Sequence, residues 1–221
     1  MPVALVTGTA RADSIAAAIV PRLAADGWDV ITSDRDTGDY PCDLSDIAAP
    51  TTLIERIARE RGPLSALVLS HAHGVESGIL DTTAESFDEH LAVNARATLL
   101  LIAAFARQVD ASGGAIVAFT SDHTTGNLPY GASKGALDRI VISAARELGP
   151  RLISANVVNP GPVDTGWMDD ETRATLLAYQ PLGRAGTPPD IAGITSVLLS
   201  DEGRWISGQL LHADGGFSAR F

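Results

Sequence analysis

Short apolar runs alternate along this chain with longer segments in which apolar residues recur every three or four positions. An uninterrupted apolar run is typical of a strand buried on both sides, and the wider spacing is typical of one helix face. The pattern predicts strands at residues 1–7, 30–32, 65–70, 115–120, 153–159 and 209–213, and helices at residues 14–25, 45–61, 84–109, 129–148 and 190–200. This alternation predicts a single-domain α/β protein with a doubly wound, mostly parallel sheet and helices on both faces.

Two places depart from the regular pattern. Only eight residues separate Asp34 from Asp43, fewer than a parallel crossover with a helix needs. We therefore expect no helix after the second strand, and any third strand to be very short and at the sheet edge. Pro21 lies within the first helical stripe, which predicts either a kink or a helix that begins later than the pattern suggests.

The composition narrows the class of protein. Apolar residues make up 45% of the 221 residues, and the formal net charge of -11 disfavours binding to nucleic acid or to anionic lipid. Cys42 is the single cysteine, so no internal disulfide forms, and no cysteine–histidine cluster has metal-site spacing. Polar residues interrupt the apolar stretch 91–106, and no signal sequence is visible. We therefore expect a cytoplasmic protein that does not span a membrane.

Tyr130 and Lys134 lie four residues apart at the beginning of a predicted helix, and therefore on one helix face. An ammonium group near a phenol favours the phenolate and lowers the tyrosine pKa, so Tyr130 could act as an acid or base near neutral pH. In an arbitrary helix, the same spacing is an exposed aromatic beside a solvated lysine. Here the pair follows a strand that ends near Ser121, and carboxyl ends of strands line the ligand crevice of such a sheet.

Three further segments lie at predicted strand ends. The turn from Gly8 to Ser14 opens a helix whose N-terminus could hold a pyrophosphate, or it is an ordinary turn with Ser14 as the cap. Asp34 could accept hydrogen bonds from a ribose diol, or it is a turn aspartate. Residues 159–167 could offer the Thr165 hydroxyl and free carbonyls to an amide ligand, or they only end a strand.

Taken together and in this order, the motifs resemble those of the short-chain dehydrogenase/reductase family from residue 3 to residue 217. Tyr130 and Lys134 resemble its catalytic pair, Ser121 its substrate-orienting serine, and Asn94 the asparagine that completes its proton relay. The resemblance implies a Rossmann fold that binds NAD or NADP. It also implies the cofactor-binding residues Gly8, Arg11, Ser14, Ile15, Asp34, Asp43, Leu44, Ser70, Ala72, Tyr130, Lys134, Pro160, Val163 and Thr165.

The mechanism that this resemblance implies is reversible hydride transfer between the nicotinamide and a carbonyl or alcohol. Tyr130 would protonate the carbonyl oxygen during reduction and remove the hydroxyl proton during oxidation. Lys134 would lower the pKa of Tyr130 and bind the nicotinamide ribose, and Ser121 would hydrogen-bond the reacting oxygen. Asn94 would order the water that restores the proton.

The sequence departs from the family pattern around the cofactor. Of the family's glycine-rich loop only Gly8 remains, and Ser14-Ile15 is similar to the enoyl-thioester reductase branch, although the short Tyr–Lys spacing is not. The family's Asn-Asn-Ala-Gly stretch is replaced by Ser70-His71-Ala72-His73. We expect both histidines to make local hydrogen bonds, and a titrating role is the alternative. These changes also support a second interpretation, a non-catalytic binding or regulatory protein with weakened cofactor affinity.

Two charged residues favour different cofactors, one NAD and the other NADP. Asp34 predicts NAD, because a carboxylate at the end of the second strand repels a 2′-phosphate. Arg11 resembles the basic residue of NADP-dependent members of the family. We favour NAD.

Other features concern the substrate pocket and the assembly. Ser121 and Tyr130 are nine residues apart, which predicts a short substrate loop and a more polar, open pocket than is usual. Residues 161–180 are predicted to form a mobile lid, and the substrate is a small carbonyl or alcohol of unspecified structure. The helix at 84–109 is apolar over more than one stripe, which predicts a homo-dimer or homo-tetramer. The loop residues concerned are Asp122, His123, Thr124 and Asn127, the lid residues are Trp167, Met168, Leu176 and Tyr179, and the helix residues are Leu99, Leu100, Leu101, Ile102 and Phe105.

Overall fold

A computed structural model describes residues 1–123, 125–166 and 168–219. Six strands form one sheet in which every neighbouring pair is parallel, in the order β2-β1-β3-β4-β5-β6. The chain reverses direction across the sheet between β1 and β3, where the carboxyl ends of strands open a crevice. The strands are β1 (Val3–Thr7), β2 (Asp29–Ser33), β3 (Ala66–Leu69), β4 (Gly114–Phe119), β5 (Ile153–Asn159) and β6 (Leu210–His212).

Helices cover both faces of the sheet. Two of them, α1 and α7, pack together on one face, and α2, α4 and α5 cover the other. A π-helical segment, Leu91–Arg96, joins α3 to α4, and short 3₁₀ turns lie at Gly149–Arg151 and Glu202–Trp205. The α-helices are α1 (Ile15–Ala25), α2 (Ala49–Arg61), α3 (Ala84–His90), α4 (Ala97–Gln108), α5 (Leu128–Leu148), α6 (Asp170–Leu177) and α7 (Pro188–Leu199).

The two faces of the sheet explain why its strands are continuous apolar runs. In β1, Leu5 packs into the cluster under α2 and α4, and Val6 packs into the cluster under α1 and α7. Both side chains are fully buried. A strand covered on two sides favours apolar residues at most positions, and the α/β, doubly wound, parallel architecture predicted from the runs is confirmed.

The crossover after β2 contains no helix, as predicted, and residues 34–48 form no third strand. Residues 34–48 form turns and bends, and β2 itself is the edge strand. The segment is fastened to β2 by the amide of Tyr40, which donates to the Thr32 carbonyl, and by the amide of Cys42, which donates to the Asp34 carbonyl. Because these hydrogen bonds tie the segment to the residues just before it, the segment does not pair with the sheet as a further strand. The next helix begins at Ala49, later than the predicted residue 45, with Pro50 in its first turn.

The first helix begins where the apolar pattern begins, so a later start is wrong. Its first residue is Ile15, and the Ser14 hydroxyl caps it by accepting a hydrogen bond from the Ala17 amide at 3.1 Å. Pro21 lies inside α1 and is exposed to solvent.

The predicted long helix is interrupted. Residues 84–108 are helical throughout, but the middle six residues have π-helical geometry. By length and composition, Ala84–Gln108 is apolar enough to cross a membrane, and 56% of its most apolar window is buried inside the fold, as in the core helix of a globular protein.

Candidate active site

Two cavities open at the carboxyl edge of the sheet. The first has a volume of about 420 Å³ and lies at the ends of β1, β2 and β3. The second has a volume of about 690 Å³ and lies at the ends of β4 and β5, beside the start of α5. The first cavity is lined by Gly8, Ala10, Arg11, Ser14, Asp34, Arg35, Cys42, Asp43, Leu44, Ser45, Ser70, His71, Ala72, His73, Glu89 and Val93. The second is lined by Thr120, Ser121, Asp122, His123, Thr125, Tyr130, Asn159, Pro160, Gly161, Pro162, Leu176, Phe217 and Ser218.

Gly8 lets the first loop pass close to the end of β3. Its φ is +81°, and a Cβ at this position would lie 2.7 Å from backbone atoms of Ser70 and His71. Its amide donates to the Ser33 carbonyl at 2.9 Å. The loop therefore exposes bare backbone to the first cavity immediately before the N-terminus of α1, which is how proteins hold a pyrophosphate.

Asp34 joins the end of β2 to this loop. One carboxylate oxygen accepts the Ala10 amide at 2.9 Å, and the other accepts the Arg35 amide at 2.7 Å. Each oxygen keeps a lone pair for a further donor, such as a ribose hydroxyl.

Arg35, which the sequence analysis did not single out, also lines the first cavity and pairs with Asp43 at 3.2 Å. Hydrogen bonds from the Ser45 hydroxyl and amide, together with Arg35, lower the pKa of the Asp43 carboxyl. Its position directly after Asp34 was the one feature of the sequence that could have identified it as a cavity residue.

Arg11 lines the first cavity but is bonded to other groups. Its guanidinium donates to the Thr165 carbonyl at 2.7 Å and pairs with Asp13 at 3.2 Å. Arg11 therefore ties the loop after β1 to the loop after β5.

The remaining predicted cofactor residues fall into two groups. Ser14, Asp43, Leu44, Ser70 and Ala72 line the first cavity, and Pro160 lines the second. Three lie outside both cavities: Ile15 packs against the apolar core, Val163 is buried beside Gly186, and Thr165 offers its carbonyl to Arg11.

Tyr130 and Ser121 line the second cavity together. The Ser121 hydroxyl oxygen accepts the His123 amide at 3.2 Å, which leaves its O–H free to donate to a bound carbonyl oxygen. Tyr130 lies in the first turn of α5, so the helix fixes its backbone at the mouth of the cavity.

Lys134 lies one turn beyond Tyr130 and is fully enclosed. Its side chain is 2% exposed, and its ammonium group donates to the Phe119 carbonyl at 2.9 Å and lies 5.6 Å from the centre of the Tyr130 ring. Burial lowers the pKa of Lys134 to about 8, and Asp138 opposes this effect. Lys134 is also the only lysine in the sequence.

One expectation about this pair is wrong in the structure. The sequence predicts that Lys134 lowers the pKa of Tyr130, but burial raises the pKa of the Tyr130 phenol. The reason is geometric, because the ammonium group is directed to the Phe119 carbonyl and lies nearly 6 Å from the ring. Desolvation of the phenolate therefore outweighs the attraction of the ammonium.

Asn94 lies in the π-helical segment and is completely buried. Its side-chain oxygen accepts the His73 amide at 2.7 Å, and its side-chain nitrogen donates to the His73 carbonyl at 2.9 Å and to the Ser133 hydroxyl at 2.8 Å. The amide thus fastens the segment after β3 to α5. Single π turns inside α-helices are frequent at functional sites, where the wider turn re-aims a side chain.

The two histidines after β3 have different roles. His71 makes the expected hydrogen bond with a spatial neighbour, because its Nδ1 and the Thr7 hydroxyl oxygen are 2.8 Å apart. Burial, and secondly Lys134, lower its pKa to about 3, which excludes titration near neutral pH. His73 lies with its ring edge against His90, centroids 4.5 Å apart, and its Nε2 is 3.6 Å from a carboxylate oxygen of Glu89.

The predicted lid contains α6. Leu176 reaches the second cavity, Met168 is buried, and Tyr179 is 61% exposed. Trp167 and Thr124 lie outside the described residues.

Comparison with known proteins finds relatives along nearly the whole chain. A family model described as "Enoyl-(Acyl carrier protein) reductase" matches residues 8–218. The uncharacterized oxidoreductase YjdA of Bacillus subtilis (strain 168) is 37% identical over 241 residues, covering 97% of this chain and 96% of YjdA. The 3-oxoacyl-acyl-carrier-protein reductase MabA of Mycobacterium tuberculosis (strain ATCC 25618 / H37Rv) is 30% identical over 226 residues, covering 96% and 91% of the two chains. A blue fluorescent protein from a metagenomic library, solved in complex with NADPH, has a TM-score of 0.88 at 30% identity and covers 98% of each chain.

The fold and these relationships define an NAD(P)-dependent oxidoreductase that acts on the CH–OH or C=O group of a small molecule. Within that class, the chain belongs to the short-chain dehydrogenase/reductase family. The family and the activity class implied by the motifs are thereby confirmed.

Proposed function

We propose that this protein transfers hydride reversibly between a nicotinamide cofactor and a carbonyl or alcohol, with Tyr130 as the group that gives and takes the proton. The observation that carries the proposal is the position of Tyr130 and Ser121 in one cavity at the carboxyl edge of the sheet, with the Lys134 ammonium enclosed behind the ring. A phenol and a hydroxyl that converge on one oxygen can hold and protonate it.

The residues of the first cavity fit a dinucleotide. Gly8 provides bare backbone where a Cβ would collide, the capped N-terminus of α1 follows it, and Asp34 keeps lone pairs for a ribose. When bound, the cofactor supplies the hydride chemistry. The chain supplies position: Ser121 orients the reacting oxygen, Tyr130 holds the proton, and Lys134 contributes a positive charge behind it.

We further propose NAD rather than NADP as the preferred cofactor. In the first cavity, Arg11 is already bonded to Thr165 and Asp13, and Arg35 is paired with Asp43. Asp34 leaves a carboxylate at the place where a 2′-phosphate would add a second negative charge. The test is the ratio of kcat/KM for NADH and NADPH with any accepted ketone. We expect NADH to be favoured at least about tenfold, and a preference for NADPH would overturn the assignment.

For the substrate, we propose a small polar carbonyl compound. Asp122, His123, Thr125 and Ser218 surround the second cavity, and none of its described lining residues is lysine or arginine. An anionic carbonyl compound calls for such a cation beside it. We expect 4-hydroxy-2-butanone to be reduced faster than acetoacetate, an anion of similar size. Equal or faster reduction of acetoacetate would contradict this proposal.

The decisive experiment on the reaction is the variant Tyr130→Phe. It removes one hydroxyl from the second cavity, so kcat should fall by about 10²–10⁴-fold while cofactor affinity and the fold persist. Tyr40→Phe is the matched control, because its hydroxyl bonds Glu60 on α2 and lines neither cavity. Turnover in Tyr130→Phe equal to that of the control would refute the assigned role.

A further inference from the structure

The environment of Lys134 poses an electrostatic problem. Its ammonium group is enclosed by protein. In the described chain it donates one hydrogen bond, to the Phe119 carbonyl at 2.9 Å. Burying a cation without a nearby anion is costly, and the usual outcome is that the group gives up its proton. A neutral amine would leave Tyr130 without the positive charge that its phenolate needs.

The groups that face this ammonium come from three elements. The segment after β3 contributes His71, which burial keeps neutral, and β4 contributes the Phe119 carbonyl. Helix α5 contributes the Tyr130 ring and Asp138. Among these, Asp138 is the one anion.

Asp138 is four residues beyond Lys134 and therefore on the same face of α5. It is partly buried, and its Oδ1 is fully enclosed without a hydrogen-bond partner in the described chain. Burial raises the pKa of Asp138, and the Thr120 hydroxyl, Lys134 and Arg139 oppose that rise. One carboxylate oxygen is therefore buried without a hydrogen-bond donor on the helix face that Asp138 shares with Lys134.

We propose that Asp138 is the counter-ion of Lys134, a positioning residue that keeps the ammonium protonated at the pH where Tyr130 works. The catalytic consequence rests on the proposed role of Tyr130, but the attraction between the two charges does not. They share one face of α5 without forming a direct ion pair in the described chain. Removal of the Asp138 charge makes Lys134 give up its proton at lower pH. The alkaline limb of the kcat/KM profile should then move to lower pH as well.

The experiment uses the solitary lysine. Growth on lysine labelled with ¹³C at Cε gives a protein with one labelled side chain, whose NMR signal reports the protonation of Lys134 directly. In Asp138→Asn, the midpoint of this titration should fall by about one pH unit relative to the wild type. Asp138→Glu should restore most of the difference. Glu55→Gln, which removes an exposed charge on α2, should leave the midpoint unchanged.

A second measurement needs no variant. In the wild type, the same signal should show a smaller inflection at acidic pH, where Asp138 takes up its proton, and this holds even if Asp138→Asn does not fold. Midpoints that agree within about 0.2 pH units in the wild type and Asp138→Asn, or a wild-type signal without the acidic inflection, would overturn the proposal. Because these readouts need no turnover, they are independent of the Tyr130→Phe result.

Discussion

Gly8 lies where the first loop passes over the end of β3, and two separate effects forbid a side chain there. Its φ is positive, and the space of a Cβ is taken by backbone atoms of Ser70 and His71. Backbone atoms cannot move aside as a flexible side chain can. The sequence indicated a glycine turn at this point. That the atoms beside Gly8 belong to the backbone at the end of β3 is seen only in the structure.

We expect Gly8→Ala to lower the free energy of unfolding by about 3 kcal/mol, because strain and collision add. The matched control is Gly62→Ala, which has φ +92° and no atom within 4 Å of the added Cβ. The control should lose only about 1 kcal/mol. Chemical denaturation of both variants measures the difference, and equal losses would contradict the collision.

The burial of His71 predicts how the free energy of unfolding depends on pH. Its pKa is lowered from 6.5 to about 3 in the fold, so the unfolded chain takes up a proton first as pH falls. The neutral imidazole therefore stabilises the protein above pH 6.5, and this contribution is lost as pH falls below that value. Between pH 6.5 and pH 5 the loss should be about 1.5 kcal/mol.

The check compares unfolding free energies of the wild type and His71→Asn across this interval. The variant should become relatively more stable toward acid, by about the same 1.5 kcal/mol. His123→Asn is the control, because that side chain is exposed. Parallel curves for the wild type and His71→Asn would show that the imidazole does not resist protonation.

At the level of elements, the order of strands and helices was predictable because strands buried on two faces leave an unmistakable apolar signature. β5 and the helix-free crossover match the prediction. The π-helical segment around Asn94 was not predictable, because its cause is tertiary: the Asn94 amide bonds the backbone of His73 and the hydroxyl of Ser133. The spacing of residues within this helix does not reveal hydrogen-bond partners that lie elsewhere in the chain.

The same limit applies to Arg11. From the sequence it resembles a phosphate ligand, yet its guanidinium joins two loops that are 154 residues apart in the chain. If the role of Arg11 is to hold the two loops together, Arg11→Ala should weaken the binding of NADH and of NADPH by the same factor. We expect about tenfold, since one charge-assisted hydrogen bond is lost. Steady-state KM values with each cofactor provide the measurement. A loss confined to NADPH would instead identify Arg11 as a ligand of the 2′-phosphate.

At the scale of the whole molecule, one apolar surface is unexplained by the chain itself. A groove of about 370 Å³ runs between α4 and α5, lined by Leu99, Ile102 and Ile140 among others, and Leu99 is 50% exposed. The apolar helix predicted to contact a partner subunit does present this face to solvent. The homo-oligomer remains a prediction.

We expect light scattering at micromolar concentration to give a mass of two or four times 23.0 kDa. Leu99→Glu should shift it toward the monomer, because a carboxylate would be buried without a partner in the interface. Leu80→Glu changes a more exposed leucine, 93% exposed, on the loop before α3, and should leave the mass unaltered. A monomeric wild type would remove the prediction.

The solitary lysine has a consequence for handling this protein. A lysine-specific protease has one peptide bond to cut, between Lys134 and Gly135, and that bond lies inside α5, one turn beyond Tyr130. Cleavage requires the helix to open, because a protease must extend the chain it cuts. The rate at which two fragments appear on a gel would therefore report, without any label or substrate, how often α5 unfolds locally.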